Sequence, residues 1–333
     1  MFKNDIEKSY IQNLCISYEL IVYYQKAIIN LVETTLIKVK NQNFAQYHDA
    51  FINDLRSKGR AESTFIAYSK DIEQLLNFFS ERGILKIQDT TIEDLEAYKK
   101  HLQDNNYTPK SVSRKINSTR TFYKYLVSTG KLSDNPSDKL AHPKFETKPP
   151  RVLSEMEYRA LRDVSRSDTR LYSIIEILLQ TGIRIGELAS LTTDDVRTQD
   201  VDGKKLYYLY IAEYGSHDSR RVPLNKSAKK AVDDYLEIRP DTDEETLFIT
   251  KNGRPLLVRN IRTTIDKAFE RAGIKNAKVN DLRNTFIAHH LSNGVSLVTV
   301  SKLVGHKRLS TTEKYLNLID NKKPETEKSL KEL

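Results

Sequence analysis

Four short stretches in the second half of the chain carry residue types able to act together on an oxyanion. They are Thr181-Gly182-Ile183-Arg184-Ile185-Gly186-Glu187-Leu188, Asn280-Asp281-Leu282-Arg283-Asn284-Thr285-Phe286, Leu303-Val304-Gly305-His306 and Thr311-Thr312-Glu313-Lys314-Tyr315. A guanidinium donates paired, charge-assisted hydrogen bonds to anionic oxygens, an imidazole can move a proton, and an activated phenol can form a covalent intermediate. Each stretch is ambiguous by itself. Arg184 and Glu187, at i and i+3, would make an ordinary ion pair at a helix start, and in a chain with 18 tyrosines a lone Tyr315 could equally be packing. Order and context have to carry the argument.

The elements that must position these residues are mostly helical. Apolar spacing predicts one helix over 1–43, then four helices at 44–58, 61–81, 91–105 and 111–129. Ser63 is a candidate cap for the second of the four and Thr91 with Asp94 for the third; Pro109 marks the break before the fourth. In the 1–43 segment five lysines (Lys3, Lys8, Lys26, Lys38, Lys40) stand against four acids (Asp5, Glu7, Glu19, Glu33), leaving +1, so packing on protein suits it better than a nucleic-acid arm. Residues 133–151 hold Pro136, Pro143, Pro149 and Pro150 and read as an extended linker. Beyond it, Ser154 and Glu157 form a capped helix start. Residues 206–211 and 221–224, flanking Gly215-Ser216-His217-Asp218, read as a β-hairpin. The expected domains are therefore a helical extension (1–43), a helical domain (44–132), the linker (133–151) and a mixed domain with a tail (152–333).

Composition narrows the partner. Lys and Arg number 54 against 45 Asp and Glu, a formal charge of +9 that favours DNA, RNA or an acidic membrane. Gln25, Lys26 and Asn30 interrupt the apolar stretch from Leu20 to Val32 well short of the roughly 20 residues needed to span a bilayer. The single Cys15 allows no internal disulfide and no cysteine zinc site, and the start of the chain lacks a signal-peptide pattern, so a cytoplasmic protein is expected. In the fourth helix of the 44–132 domain, Lys110, Arg114, Lys115, Arg120 and Lys124 run without an intervening acid. Ser111, Ser113, Asn117, Ser118 and Thr121 interleave with them. Such a mixture suits either a solvated face or a grip on phosphates and base edges.

From about Phe44 to Ile319 the sequence resembles the tyrosine recombinase, or phage integrase, family. The likeness is most specific in the run Asp281-Leu282-Arg283-Asn284-Thr285-Phe286, then Asn293-Gly294-Val295, Leu303-Val304-Gly305-His306, Ser310-Thr311-Thr312 and Tyr315; residues 181–188 are similar to the family's first arginine box. The resemblance implies a mainly α fold with a small antiparallel sheet: a helical core-binding domain plus a catalytic domain, together a C-shaped DNA clamp. It also implies site-specific recombination through a 3′-phosphotyrosine and a Holliday junction, by a homotetramer on two DNA sites that is a monomer or dimer when free.

By that resemblance Arg184 and Arg283 clamp the phosphate, His306 stands beside it and Tyr315 is the nucleophile. A phosphotyrosine conserves the energy of the broken bond, so neither ATP, a metal nor another cofactor is expected. The chain departs from the family in two places. Asn280 stands where a histidine is usual, and an amide donates but does not shuttle a proton. The lysine expected in the hairpin to protonate the leaving oxygen is missing between Leu206 and Leu224, which leaves Lys204, Lys205 and His217 as candidate general acids. These departures keep a catalytically silent DNA-binding protein open as a rival, and the shared chemistry keeps a type IB topoisomerase open. The tail from Asp320 to Leu333 suits docking on a neighbouring protomer or disorder.

Overall fold

The computed structural model describes residues 39, 41–59, 62–144, 146, 148–213 and 217–320. The expected helix over 1–43 lies outside them except at its last residues, and the tail lies outside them beyond Asp320. The chain divides into two compact units, residues 1–146 and 147–333. Among the described residues no helix is long and apolar enough to cross a membrane.

The first unit contains α1 (Gln42–Ser57), α2 (Glu62–Glu81), α3 (Ile92–Asp104) and α4 (Pro109–Ser128). Their apolar stripes meet in one core that includes Phe44, Phe51, Leu75, Phe79, Leu95, Tyr98, Ile116 and Phe122. Phe51 and Phe122 pack edge to face with centroids 5.3 Å apart, a favoured aromatic geometry. Thr91 and Asp94 form the expected capping box at α3. Pro109 is not a break but the first residue of α4: Thr108 caps the helix, and the N–H that proline lacks would have had no partner there. The expected linker is also less extended than its prolines suggest. A 3₁₀ turn at Pro136–Lys139 buries Ser137, Leu140 joins the core, and Arg120 donates to the Leu140 carbonyl at 2.7 Å.

The five cations of α4 separate into two groups. Lys115 is buried, giving 2.9 Å to Asp71 Oδ1 and 2.6 Å to Gln74 Oε1. Asp71 also accepts from Ser118 at 2.7 Å and from both terminal nitrogens of Arg114. Lys115 thus faces inward, where a desolvated ammonium needs its carboxylate, and the sequence reading that set it on an outward cationic face is corrected. Arg120 is likewise engaged with the Leu140 carbonyl and His142. Lys110, Arg114, Asn117 and Lys124 remain exposed at helical spacing, one stripe along α4. Asp71→Ala would leave the buried Lys115 uncompensated and is expected to destabilise the first unit by about 3–5 kcal/mol, read as a lower urea midpoint. An unchanged midpoint would refute this account of the buried pair.

The second unit contains α5 (Glu155–Ser165), α6 (Thr169–Thr181), α7 (Ile185–Ser190), β1 (Val196–Val201), β2 (Lys204–Ile211), β3 (Arg220–Leu224), α8 (Lys226–Ile238), α9 (Val258–Arg271), α10 (Val279–Ser292), α11 (Leu297–Val304), α12 (Ser310–Glu313) and α13 (Asn317–Asp320). Helix α6 is buried along most of its length, with Ile174, Ile175, Ile177 and Leu178 in the main core. The expected hairpin is two strands of a three-stranded antiparallel sheet ordered β1-β2-β3. The tight turn, Asp202-Gly203, joins β1 to β2 rather than β2 to β3. Strand β1 was not foreseen because Val196-Arg197-Thr198-Gln199-Asp200-Val201 is almost wholly exposed and so lacks apolar alternation.

Candidate active site

The site is assembled around the C-terminal end of α11. The last carbonyls of a helix have no intrahelical partner and carry the negative end of the helix dipole, so they attract cations. Three arginines from three different elements meet them. Arg220 Nε donates to the Leu303 carbonyl at 2.8 Å, Arg283 to the Val304 carbonyl at 2.6 Å, and Arg184 to the Gly305 carbonyl at 2.8 Å. Gly305 ends the helix at φ 67°, and an added Cβ would stand 3.0 Å from the Arg220 guanidinium. That crowding, as well as the left-handed backbone, favours glycine there.

Each arginine is placed by local structure. Helix α6 ends on Gly182 at φ 63°, where a Cβ would collide with the Phe286 ring. The Gly182 carbonyl accepts from Arg283 at 2.6 Å, and the chain then turns to start α7, with Arg184 at its cap. Glu187 closes a capping box: it accepts from the Arg184 backbone N–H at 2.8 Å and from the Arg184 side chain at 2.9 Å. It also receives both terminal nitrogens of Arg220, at 2.9 and 2.7 Å. Burial raises the Glu187 pKa, but the hydrogen bonds from Arg220 and the Arg184 backbone, with both positive charges, prevail and bring it down to about 2. A carboxylate ionised at all ordinary pH values therefore holds the two guanidiniums side by side. For Arg283, burial and then the neighbouring Arg184 lower the pKa to about 9.

Arg220 was overlooked in the sequence, yet a signal was present. Arg220, Val222 and Leu224 occupy alternate positions of β3; Val222 and Leu224 are buried, so an arginine in phase with them points inward.

His306 follows Gly305 directly, its Nδ1 sharing a 2.8 Å hydrogen bond with Thr312 Oγ1. Burial, then Arg283, Arg184, Arg220 and His217, lower its pKa to about 4, so it is neutral at pH 7. In the unfolded chain the group titrates near its ordinary 6.5. Below pH 6.5 the unfolded state then binds the proton first; the His306 contribution to stability is present above that pH and is lost as pH falls towards about 4. His306→Gln should lose less stability than the parent between these two pH values in urea titrations. Parallel pH profiles would refute the assignment.

Tyr315 packs with Phe286, Ile287, Leu291, Val300 and Val304 and is buried. Its hydroxyl donates to Asn284 Oδ1 at 2.7 Å, and Asn280 Nδ2 donates to the same oxygen at 3.1 Å. Burial raises the phenol pKa, against the lowering influence of Arg283.

The structure thus brings Arg184, Arg283 and His306 together, with Asn280 on α10 and Tyr315, which follows α12, both hydrogen-bonded to Asn284 Oδ1. The general-acid candidates diverge. His217 lies within electrostatic reach of Arg184, Glu187, Arg220 and His306, and its pKa is lowered by burial first and then by Arg184. Lys204 and Lys205 are exposed at the β1–β2 turn. Ile211 at the other end of β2 pairs with Arg220, about 23 Å from Lys204 at about 3.3 Å per residue. The turn that Lys204 and Lys205 flank, just before β2, is therefore at the end of the sheet opposite Arg220.

Residues 151–322 match the phage integrase family, and residues 49–130 match the phage integrase N-terminal SAM-like domain. The tyrosine recombinase XerC of Listeria welshimeri is 30% identical over 281 residues, covering 80% of this chain and 91% of that protein. The XerC of Staphylococcus aureus is 32% identical over 280 residues, covering 81% and 91%. Among solved structures, a lambda integrase dimer bound to a COC′ core site superposes with a TM-score of 0.64 at 21% identity, covering 80% of this chain and 96% of that one. The Tn1549 transposon integrase in complex with a circular intermediate DNA gives 0.63 at 18% identity, covering 81% and 94%. These last two likenesses establish the fold, a mainly helical one with a small antiparallel sheet. With both units matched and relatives of 30% identity or more spanning most of the chain, the protein belongs to the phage integrase family and is a tyrosine recombinase.

Proposed function

We propose that this chain recombines double-stranded DNA at specific sites, with Tyr315 as nucleophile and Arg184 and Arg283 as the phosphate clamp. The observation that carries the reading is the convergence of two guanidiniums and His306 on the end of α11, with Tyr315 packed against the same helix. The Tyr315 oxygen attacks the scissile phosphorus, the bond from phosphorus to the 5′ oxygen breaks, and a 3′-phosphotyrosine remains. Charge building on the two non-bridging oxygens is met by the arginines. Attack by a 5′ hydroxyl of a partner strand reverses the step, so no external energy source is consumed. Asn280 serves as a hydrogen-bond donor near the phosphate, and four protomers act on two sites through a Holliday junction in the cytoplasm.

A nicked suicide substrate bearing a site selected from random DNA tests this. A detergent-resistant adduct on Tyr315, with recombination confined to paired sites, is the expected result; relaxation of any supercoiled plasmid would favour a type IB topoisomerase. His217 is the general acid in this reading, protonated when the bound phosphate's negative charge offsets the burial and the Arg184 charge that lower its pKa in the free protein. His217→Ala should cleave ordinary DNA about 10²–10⁴-fold more slowly, and cleavage should recover on a 5′-bridging phosphorothiolate, whose thiolate leaves unprotonated.

The first unit adds grip through 44–132, with 133–151 joining it to 152–333. Lys110 and Lys124, on the exposed stripe of α4, bind phosphates while Lys115 stays internal. Replacing both by Ala should weaken DNA binding and reduce the salt slope by about 1.8, since each phosphate neutralised contributes about 0.9. An unchanged slope would remove α4 from the interface.

A further inference from the structure

The Tyr315 hydroxyl is engaged by an amide rather than by the arginine clamp. It donates at 2.7 Å to Asn284 Oδ1, and the Asn284 amide is itself fixed on all sides. Asn280 Nδ2 supplies that oxygen with a second donor at 3.1 Å, while Asn284 Nδ2 gives hydrogen bonds to the Arg151 carbonyl at 3.0 Å and to Asp281 Oδ1 at 3.2 Å. Asn284 and Tyr315 are both nearly inaccessible, at 5% and 7% exposure.

An amide oxygen can accept a hydrogen bond from a phenol but does not take its proton at neutral pH. The hydroxyl therefore has to leave Asn284 before it can be deprotonated and attack. Burial, which disfavours the phenolate, acts in the same direction.

We propose that Asn284 is a positioning residue that latches the Tyr315 hydroxyl in a withheld state, and that Asn280 orients the latch. This rests on the reading of Tyr315 as the nucleophile, but the latch itself is a property of the free protein. Asn280 thereby gains a second role, holding the acceptor oxygen of Asn284 towards Tyr315. The latch separates DNA binding from DNA cleavage: only the arrangement that draws Tyr315 off Asn284 can form the phosphotyrosine.

The test labels the full-length free protein with N-acetylimidazole, which acetylates accessible phenols, and quantifies each tyrosine peptide by mass spectrometry. Tyr98, Tyr123 and Tyr235, buried in the two cores, are internal controls for general loosening. In Asn284→Ala, Tyr315 should be acetylated roughly tenfold faster, about the factor one ordinary net hydrogen bond represents, with the three controls unchanged. Cleavage of the nicked substrate at saturating DNA should accelerate in the same variant. Asn280→Ala, a change at an exposed position, should raise Tyr315 labelling about two- to threefold, since the Asn284 amide is then held by one hydrogen bond fewer.

Unchanged Tyr315 labelling in both variants overturns the latch, as does a rise shared equally by Tyr98, Tyr123 and Tyr235. Selective labelling combined with slower cleavage also overturns it, because Asn284 would then be presenting the tyrosine rather than withholding it. Should Asn284→Ala fail to fold, Asn280→Ala decides by itself. A parent protein that forms no DNA adduct refutes the recombinase reading, while the labelling result still judges the latch.

Discussion

Tyr315→Phe is expected to fold, to bind its DNA site with parental affinity and to form no covalent adduct, a loss of at least about 10⁴-fold in cleavage. The structure explains why folding should survive. The ring packs against Phe286, Leu291 and Val304, and phenylalanine keeps that packing. The hydroxyl contributes one hydrogen bond to Asn284 Oδ1, and that oxygen retains Asn280 Nδ2 as a donor, so no buried acceptor is orphaned. Loss of activity without loss of stability is therefore the signature of a nucleophile at this position. The measurement is a nicked suicide substrate resolved on a denaturing gel, beside urea melts of both proteins. A retained adduct in Tyr315→Phe would mean that another residue attacks.

The helical character of both units was legible because amphipathic spacing and capping residues act locally. Thr91 with Asp94 and Ser154 with Glu157 form the boxes their spacing implies. The order of the reactive residues was legible as well, since Gly182 and Gly305, which set the turns before Arg184 and His306, are positions where the backbone itself selects the residue. What stayed hidden depends on interactions between segments distant in sequence. Lys115 looked like one of five surface cations, and only Asp71 on α2, 44 positions away, makes it internal. Arg220 went unnoticed because its partners, Glu187 and the Leu303 carbonyl, come from segments distant in sequence. Strand β1 carries no pattern of its own and exists through its pairing with β2. The reach of a general acid could not be read either: Lys204, Lys205 and His217 are neighbours in sequence, and the direction of β2 separates them.

Arg283→Ala is expected to lower the cleavage rate by about 10²–10³-fold, the cost of removing one preorganised donor from the developing oxyanion, and in addition to lower stability. The two effects have separate causes in the structure. Arg283 is 5% exposed and donates to the carbonyls of Gly182 and Val304, so it ties the turn before Arg184 to the helix end before His306. Alanine would leave both carbonyls without this donor, and unsatisfied buried polar groups cost about 1–3 kcal/mol each. It would also relieve crowding, because Arg283 lowers the pKa of His306 and is itself lowered by Arg184. His306 should then titrate closer to its ordinary value, moving the acid limb of the stability profile towards neutral pH. Arg283→Lys discriminates between these roles: it restores a positive charge but cannot span two carbonyls with a planar fork. The lysine variant should regain part of the electrostatic effect on His306 while remaining well below parental cleavage. If Arg283→Ala cleaves at the parental rate when folded at saturating DNA, Arg283 is a strut between two turns and the clamp must be formed by Arg184 and Arg220.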